Sequence, residues 1–126
     1  MPADFRTILI SVAHSAQASG AESPRDGNLP VFTEYNVSLR ASLAAFRVLA
    51  GQVGVELFDV GPMATAQEYA RAKIARVNQC RPSLALELPC NASLHPSANY
   101  SEVIYYKDSV TGKAAAESIA NALKGL

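Results

Sequence analysis

This sequence has no excess of charge, little cysteine and no long apolar run, and each shortage removes a class of protein. Eleven Lys plus Arg balance eleven Asp plus Glu, so the formal net charge is zero at pH 7. A protein that grips a nucleic-acid duplex through its phosphates needs a dense basic field, so no duplex is expected as a partner. The two cysteines, Cys80 and Cys90, stand ten residues apart without CxxC spacing. That indicates neither a zinc ribbon nor a disulfide framework, and buried free thiols are expected. No apolar stretch approaches the ~20 residues that span a bilayer. The short run Ile8 to Ile10 with Val12 has no small-residue cleavage site behind it, which argues against a secretory signal. The expectation is a soluble, cytoplasmic protein with no membrane partner.

What remains is a chain of 126 residues, 49% hydrophobic and 17% charged. That suits one domain, residues 1–126, large enough to bury a core without a structural metal. Apolar segments of two kinds alternate along it, the pattern of a mostly parallel sheet with helices on both faces, an α/β fold. Thr7 to Val12 is short and β-branched and predicts a buried strand. Residues 14–32 are rich in Ser, Gly, Asn and Pro, a long loop of the kind that serves function. Thr33 then caps a helix with Leu39, Leu43, Phe46 and Ala50 at helical spacing, stopped by Gly51.

Val53 to Val60 predicts a second strand. Thr65 to Gln79 predicts a second helix with Ala66, Ala70, Ile74 and Val77 on its core-facing stripe. Leu84 to Leu88 predicts a third strand, ended by Pro89. Glu102 to Tyr106 has the aromatic and β-branched content of a fourth, with Tyr105 and Tyr106 on opposite sides of it. Thr111 is expected to cap a final helix carrying Ala116, Ile119 and Leu123.

Ligands of open α/β sheets collect at the carboxyl ends of the strands. The residues there are His14 and Ser15 after the first strand, Asp59 after the second, and Pro89, Cys90 and Asn91 after the third. Glu34 stands in the first turn of the first helix, where the macrodipole favours a carboxylate.

The segments ILISVAHSAQASGAES, TEYNVSLRASLAAFRVLA and RVNQCRPSLALELPCNASLHPSANYSEVIYYKDSVTGKAAAESIANAL, in this order and spacing, resemble the catalytic domain of the zinc-dependent N-acetylmuramoyl-L-alanine amidases of type 3. These occur in bacterial cell-wall enzymes and phage endolysins. The resemblance implies a truncated amidase-like fold, with His14 in the place of the first zinc ligand and Glu34 in that of the second. The third ligand is a histidine two residues before an Asn-Ala pair, and that position here is Pro89, which has no lone pair for a metal. His14 and Glu34 alone would hold zinc weakly, since a catalytic site needs three protein ligands. Cys90 is the candidate to restore the third, with Glu87 and His95 also near in sequence. The family's catalytic glutamate lies on a strand after the last helix, and this sequence shows none.

By this resemblance, two parts of the hydrolytic machinery are expected to be missing. The expectation is a non-catalytic binding protein that holds a small polar ligand, a peptidoglycan fragment or a nucleotide-like signal such as a phage protein sequesters. The ligand would sit in the former zinc cleft, with no cofactor. His14, Ser15, Glu34, Asn91, Asn99 and Tyr100 are its candidate ligand-binding residues, Tyr100 adding a stacking surface where the family has glycine. The alternative is a working zinc amidase with an unusual third ligand. A truncated sheet leaves an edge to cover, so a homo-oligomer is expected.

Overall fold

The computed structural model describes residues 6–90 and 100–125, which fall into two compact units. The first carries strand β1 (Thr7–Ser11), helix α1 (Glu34–Leu49), strand β2 (Gly54–Phe58), helix α2 (Ala66–Cys80) and strand β3 (Leu84–Glu87). The second carries helix α3 (Val110–Leu123). The fold class is α/β, as the alternation of segments predicts.

The three strands form a parallel sheet in the order β2-β1-β3, with Leu9 beside Glu56 on one side and Ala85 on the other. The central strand is the most deeply buried element: Ile8, Leu9, Ile10 and Val12 are buried, and each such side chain contributes ~1.5 to 3 kcal/mol. The chain leaves β1 toward one edge and returns from β2 to the other. Right-handed crossovers then put α1 and α2 on opposite faces. Strand alternation gives Leu9, Ser11, Glu56 and Glu87 to the α2 face, where Glu56 and Glu87 pair with Arg76 and Lys73 of that helix. Ile8 and Ile10 face α1.

Both helix starts lie where the sequence predicts them. Thr33 and Thr65 accept the backbone N–H groups of Asn36 and Glu68, closing the first turns. The α1 stripe, however, needs correction. Ser38 and Ser42 are its buried residues, while Leu39, Leu43 and Phe46 flank them partly exposed and Ala50 is exposed beyond the helix end. Small side chains let the helix axis come close to the sheet, and Ser38 Oγ accepts the N–H of Ala13 at 2.9 Å, just beyond the end of β1.

The α2 stripe also fails as a core face. No residue of that helix is buried, and Ile74 is 61% exposed. Cys80, expected inside, is an exposed thiol and Cys90 is partly exposed.

In the second unit, residues 101–106 form no strand. Aromatic and β-branched residues favour a pleated surface that is half covered, and the described residues cover this segment little: Ile104 is 81% and Tyr106 70% exposed. The cap of α3 is Ser109, whose Oγ accepts the Gly112 N–H, and Thr111 lies inside the first turn.

Candidate functional site

The carboxyl end of β1 turns sharply at His14, whose φ of 61° lies in the left-handed region. A non-glycine residue enters that region rarely, histidine more readily than most. The turn carries the imidazole to the first turn of α1, where its Nε2 meets the Glu34 carboxylate. On its other side Nδ1 lies 3.2 Å from the Tyr69 hydroxyl of α2, with the two rings edge to face. Both ring nitrogens are therefore engaged, one from each flanking helix. The pair is partly covered, with His14 26% and Glu34 14% exposed in their side chains.

The long polar loop folds back to form this cover. The Glu34 N–H donates to Ala21 O at 2.9 Å and the Tyr35 N–H to Ser19 O at 3.0 Å, so loop carbonyls occupy the first free amides of α1. An isolated antiparallel bridge joins Glu22 to Thr33. Gly20, at φ 78°, passes directly over the pair: a Cβ there would come within 2.8 Å of His14 Nε2 and collide with the Glu34 carboxylate. Only glycine combines that backbone conformation with that proximity.

Ser15 is fully buried, its hydroxyl accepting the Ala18 N–H at 3.0 Å and donating to Met63 O. It ties the β1 exit to the segment before α2 and has no exposed surface for a ligand. Tyr35 donates to Asp59 at the exit of β2, and Asp59 in turn accepts the Gly61 N–H at 3.1 Å. Burial, and then the adjacent Asp59 carboxylate, push the Tyr35 phenol up to about 12.

Of the residues predicted from the sequence, the structure brings His14 and Glu34 together. Pro89 and Cys90 follow β3 within the first unit. Tyr100 belongs to the second unit and is 76% exposed. Asn91, His95 and Asn99 lie outside the described residues. Tyr69 and Gly20 were missed. Tyr69 reads in sequence as one more position on α2, one residue before Ala70 of the predicted stripe, and Gly20 as one of two glycines in the loop.

Zinc, which the family resemblance implies, requires a third protein donor beside His14 and Glu34. Among the described residues no group of three His, Cys, Asp or Glu side chains converges. Glu87, the nearest carboxylate in sequence, is bound by Lys73 at 3.2 Å and Ser11 at 3.4 Å. The described residues therefore supply two donors and do not fit a three-ligand site. Among the described residues, no helix is long and apolar enough to cross a membrane. No protein-family model, curated protein or solved structure matches this chain.

Proposed function

We propose that this chain is a non-catalytic binding protein on an amidase-like fold, holding a small polar ligand at the exit of β1 against His14 and Glu34. The observation that carries the reading is the pair itself. Its imidazole is fixed from both sides, its carboxylate is held under a glycine, and proline stands where the resembling enzymes have their third metal ligand. Such a pair offers a fixed hydrogen-bonding edge but lacks the open, three-ligand coordination that activates water. The alternative, a zinc amidase, draws on the same convergence of His14 Nε2 and Glu34 and requires a third donor from beyond the described residues.

The test is a thermal-shift panel on the full chain with muramyl dipeptide, longer muropeptides and mono- and cyclic nucleotides, read beside metal analysis. A bound ligand raises the melting temperature through its preference for the folded state. The expected result is a rise with one member of the panel that is lost in both His14→Ala and Glu34→Gln. Stoichiometric zinc retained through dialysis against a mild chelator, with amide-bond cleavage of peptidoglycan, would overturn the reading in favour of the amidase.

A further inference from the structure

Access to the His14–Glu34 pair is restricted by the chain itself. Between the fully buried Ser15 and the helix cap Thr33, residues 16–32 leave the sheet, pass over the pair and return to the start of α1. Gly20 makes the closest approach, so close that an added Cβ would meet His14 Nε2 at 2.8 Å.

This segment is held down by hydrogen bonds rather than by a core of its own. None of residues 16–32 is buried, and Leu29 near the tip is 66% exposed. Its grip on α1 consists of the Ala21 carbonyl on the Glu34 N–H and the Ser19 carbonyl on the Tyr35 N–H. Its two limbs are tied to each other, the Ser23 N–H donating to Phe32 O at 2.7 Å and the Phe32 N–H to Ser23 Oγ at 2.8 Å. They can move as one body. A segment with few buried apolar contacts and solvent-facing backbone bonds opens at a lower free energy than the core beneath it. The ends are firmer: Ser15 is held by the Ala18 N–H and Met63 O, and Thr33 Oγ1 accepts the Asn36 N–H at 3.1 Å. Fixed ends and a weakly held middle are the parts of a hinged cover.

We propose that residues 16–32 are a lid, closed in this structure, and that the His14–Glu34 pair meets a ligand only when the lid lifts from the first turn of α1. The proposal adds a gate to the binding site and rests on the proposed function for what the gate admits. Lifting frees the amides of Glu34 and Tyr35, while Val37 keeps its bond to Thr33 O.

The test is hydrogen exchange of the backbone amides of the full chain, followed residue by residue by NMR. Glu34 and Tyr35 should be protected, yet exchange at least about tenfold faster than Val37 in the same turn and Ile10 in the central strand. Gly20→Ala drives a methyl group at the pair from a left-handed backbone, so it should speed both lid-covered amides about tenfold more and leave Val37 unchanged. Diethyl pyrocarbonate, which attacks accessible imidazole, supplies the second arm. Its reaction at His14, separated from His95 by peptide mass mapping, should be slow in the wild-type chain and about tenfold faster in Gly20→Ala.

Glu34 and Tyr35 exchanging as freely as in an unfolded chain would overturn the lid, because no closed state would exist. So would exchange at the rate of Val37, because the segment would then have no opening of its own, and so would a His14 reaction that Gly20→Ala does not change. The wild-type exchange pattern decides the matter even where Gly20→Ala fails to fold. The lid and the proposed function fail separately. A lid that opens over a pair on which no muropeptide or nucleotide depends removes the binding reading alone. A ligand that requires His14 on a chain without separate opening removes the lid alone.

Discussion

The helices α1 and α2 flank the same three strands and meet them by different means. α1 approaches through serines so closely that a side-chain hydroxyl caps a backbone amide just past β1. α2 has no fully buried residue and reaches the sheet through long charged side chains, Arg76 to Glu56 and Lys73 to Glu87, with an open groove between helix and sheet. An apolar stripe at helical spacing shows that a helix has a preferred face. The size of the residues on that face decides how near the helix can come. Close approach sets α1 against the end of β1 beside the His14–Glu34 pair, and the mounting of α2 leaves an open groove over the sheet.

The most severe disruption should come from Ser38→Leu, which overpacks the α1 interface and removes the acceptor of the Ala13 N–H. A loss of at least ~2 kcal/mol is expected in urea unfolding. Ile74→Asp, at an exposed position of α2, should stay within ~0.5 kcal/mol. Similar losses from the two would erase the contrast between the helices.

Gly20→Ala comes next, with a cost of ~1 to 2 kcal/mol for the left-handed backbone and a further displacement of the pair. Loss of stability together with loss of ligand binding is the expected outcome, and an unchanged melting curve would show that the loop does not press on His14. Ser42→Ala should act in the other direction. The Ser42 hydroxyl is buried with no hydrogen-bond partner among the described residues, so deleting it is expected to stabilise the fold by ~1 kcal/mol.

The mildest effects concern pH and separate the helices by the end of the scale at which each loosens. The Tyr35 phenol, raised from 10.0 to about 12, contributes stability that is present below pH 10 and lost as pH rises through the folded value. Tyr35→Phe should flatten that alkaline loss, followed by circular dichroism. On α2, the Cys80 thiol first and then the Arg76 guanidinium hold the Glu56 carboxyl below its ordinary 4.5. The stability this contributes is present above that pH and lost as pH falls below it, only slightly because the pair is open to solvent. Glu56→Gln should remove that small acid sensitivity and leave the alkaline limb untouched.

The alternation of strands and helices, the Thr33 and Thr65 caps and the meeting of His14 with Glu34 were legible in the sequence, the last through resemblance to a family. These depend on local chemistry and on order along the chain. Tyr69, Gly20 and the Tyr35–Asp59 link were not, because each becomes meaningful only when residues distant in sequence are brought together. The strand expected at Glu102 to Tyr106 failed for a related reason. Its residue types suit a sheet, but residues 101–106 are not a strand in the structure, because strand formation depends on sheet pairing that residue types alone do not set.

The backbone at residue 14 has a consequence for how this protein can evolve. A chain selected for folding alone would gain from glycine there, since that conformation costs other residues ~1 to 2 kcal/mol. Histidine at such a corner sets robustness against the site's geometry: variants drifting toward tighter folds would shed the imidazole first, and with it the link it makes between Glu34 and Tyr69.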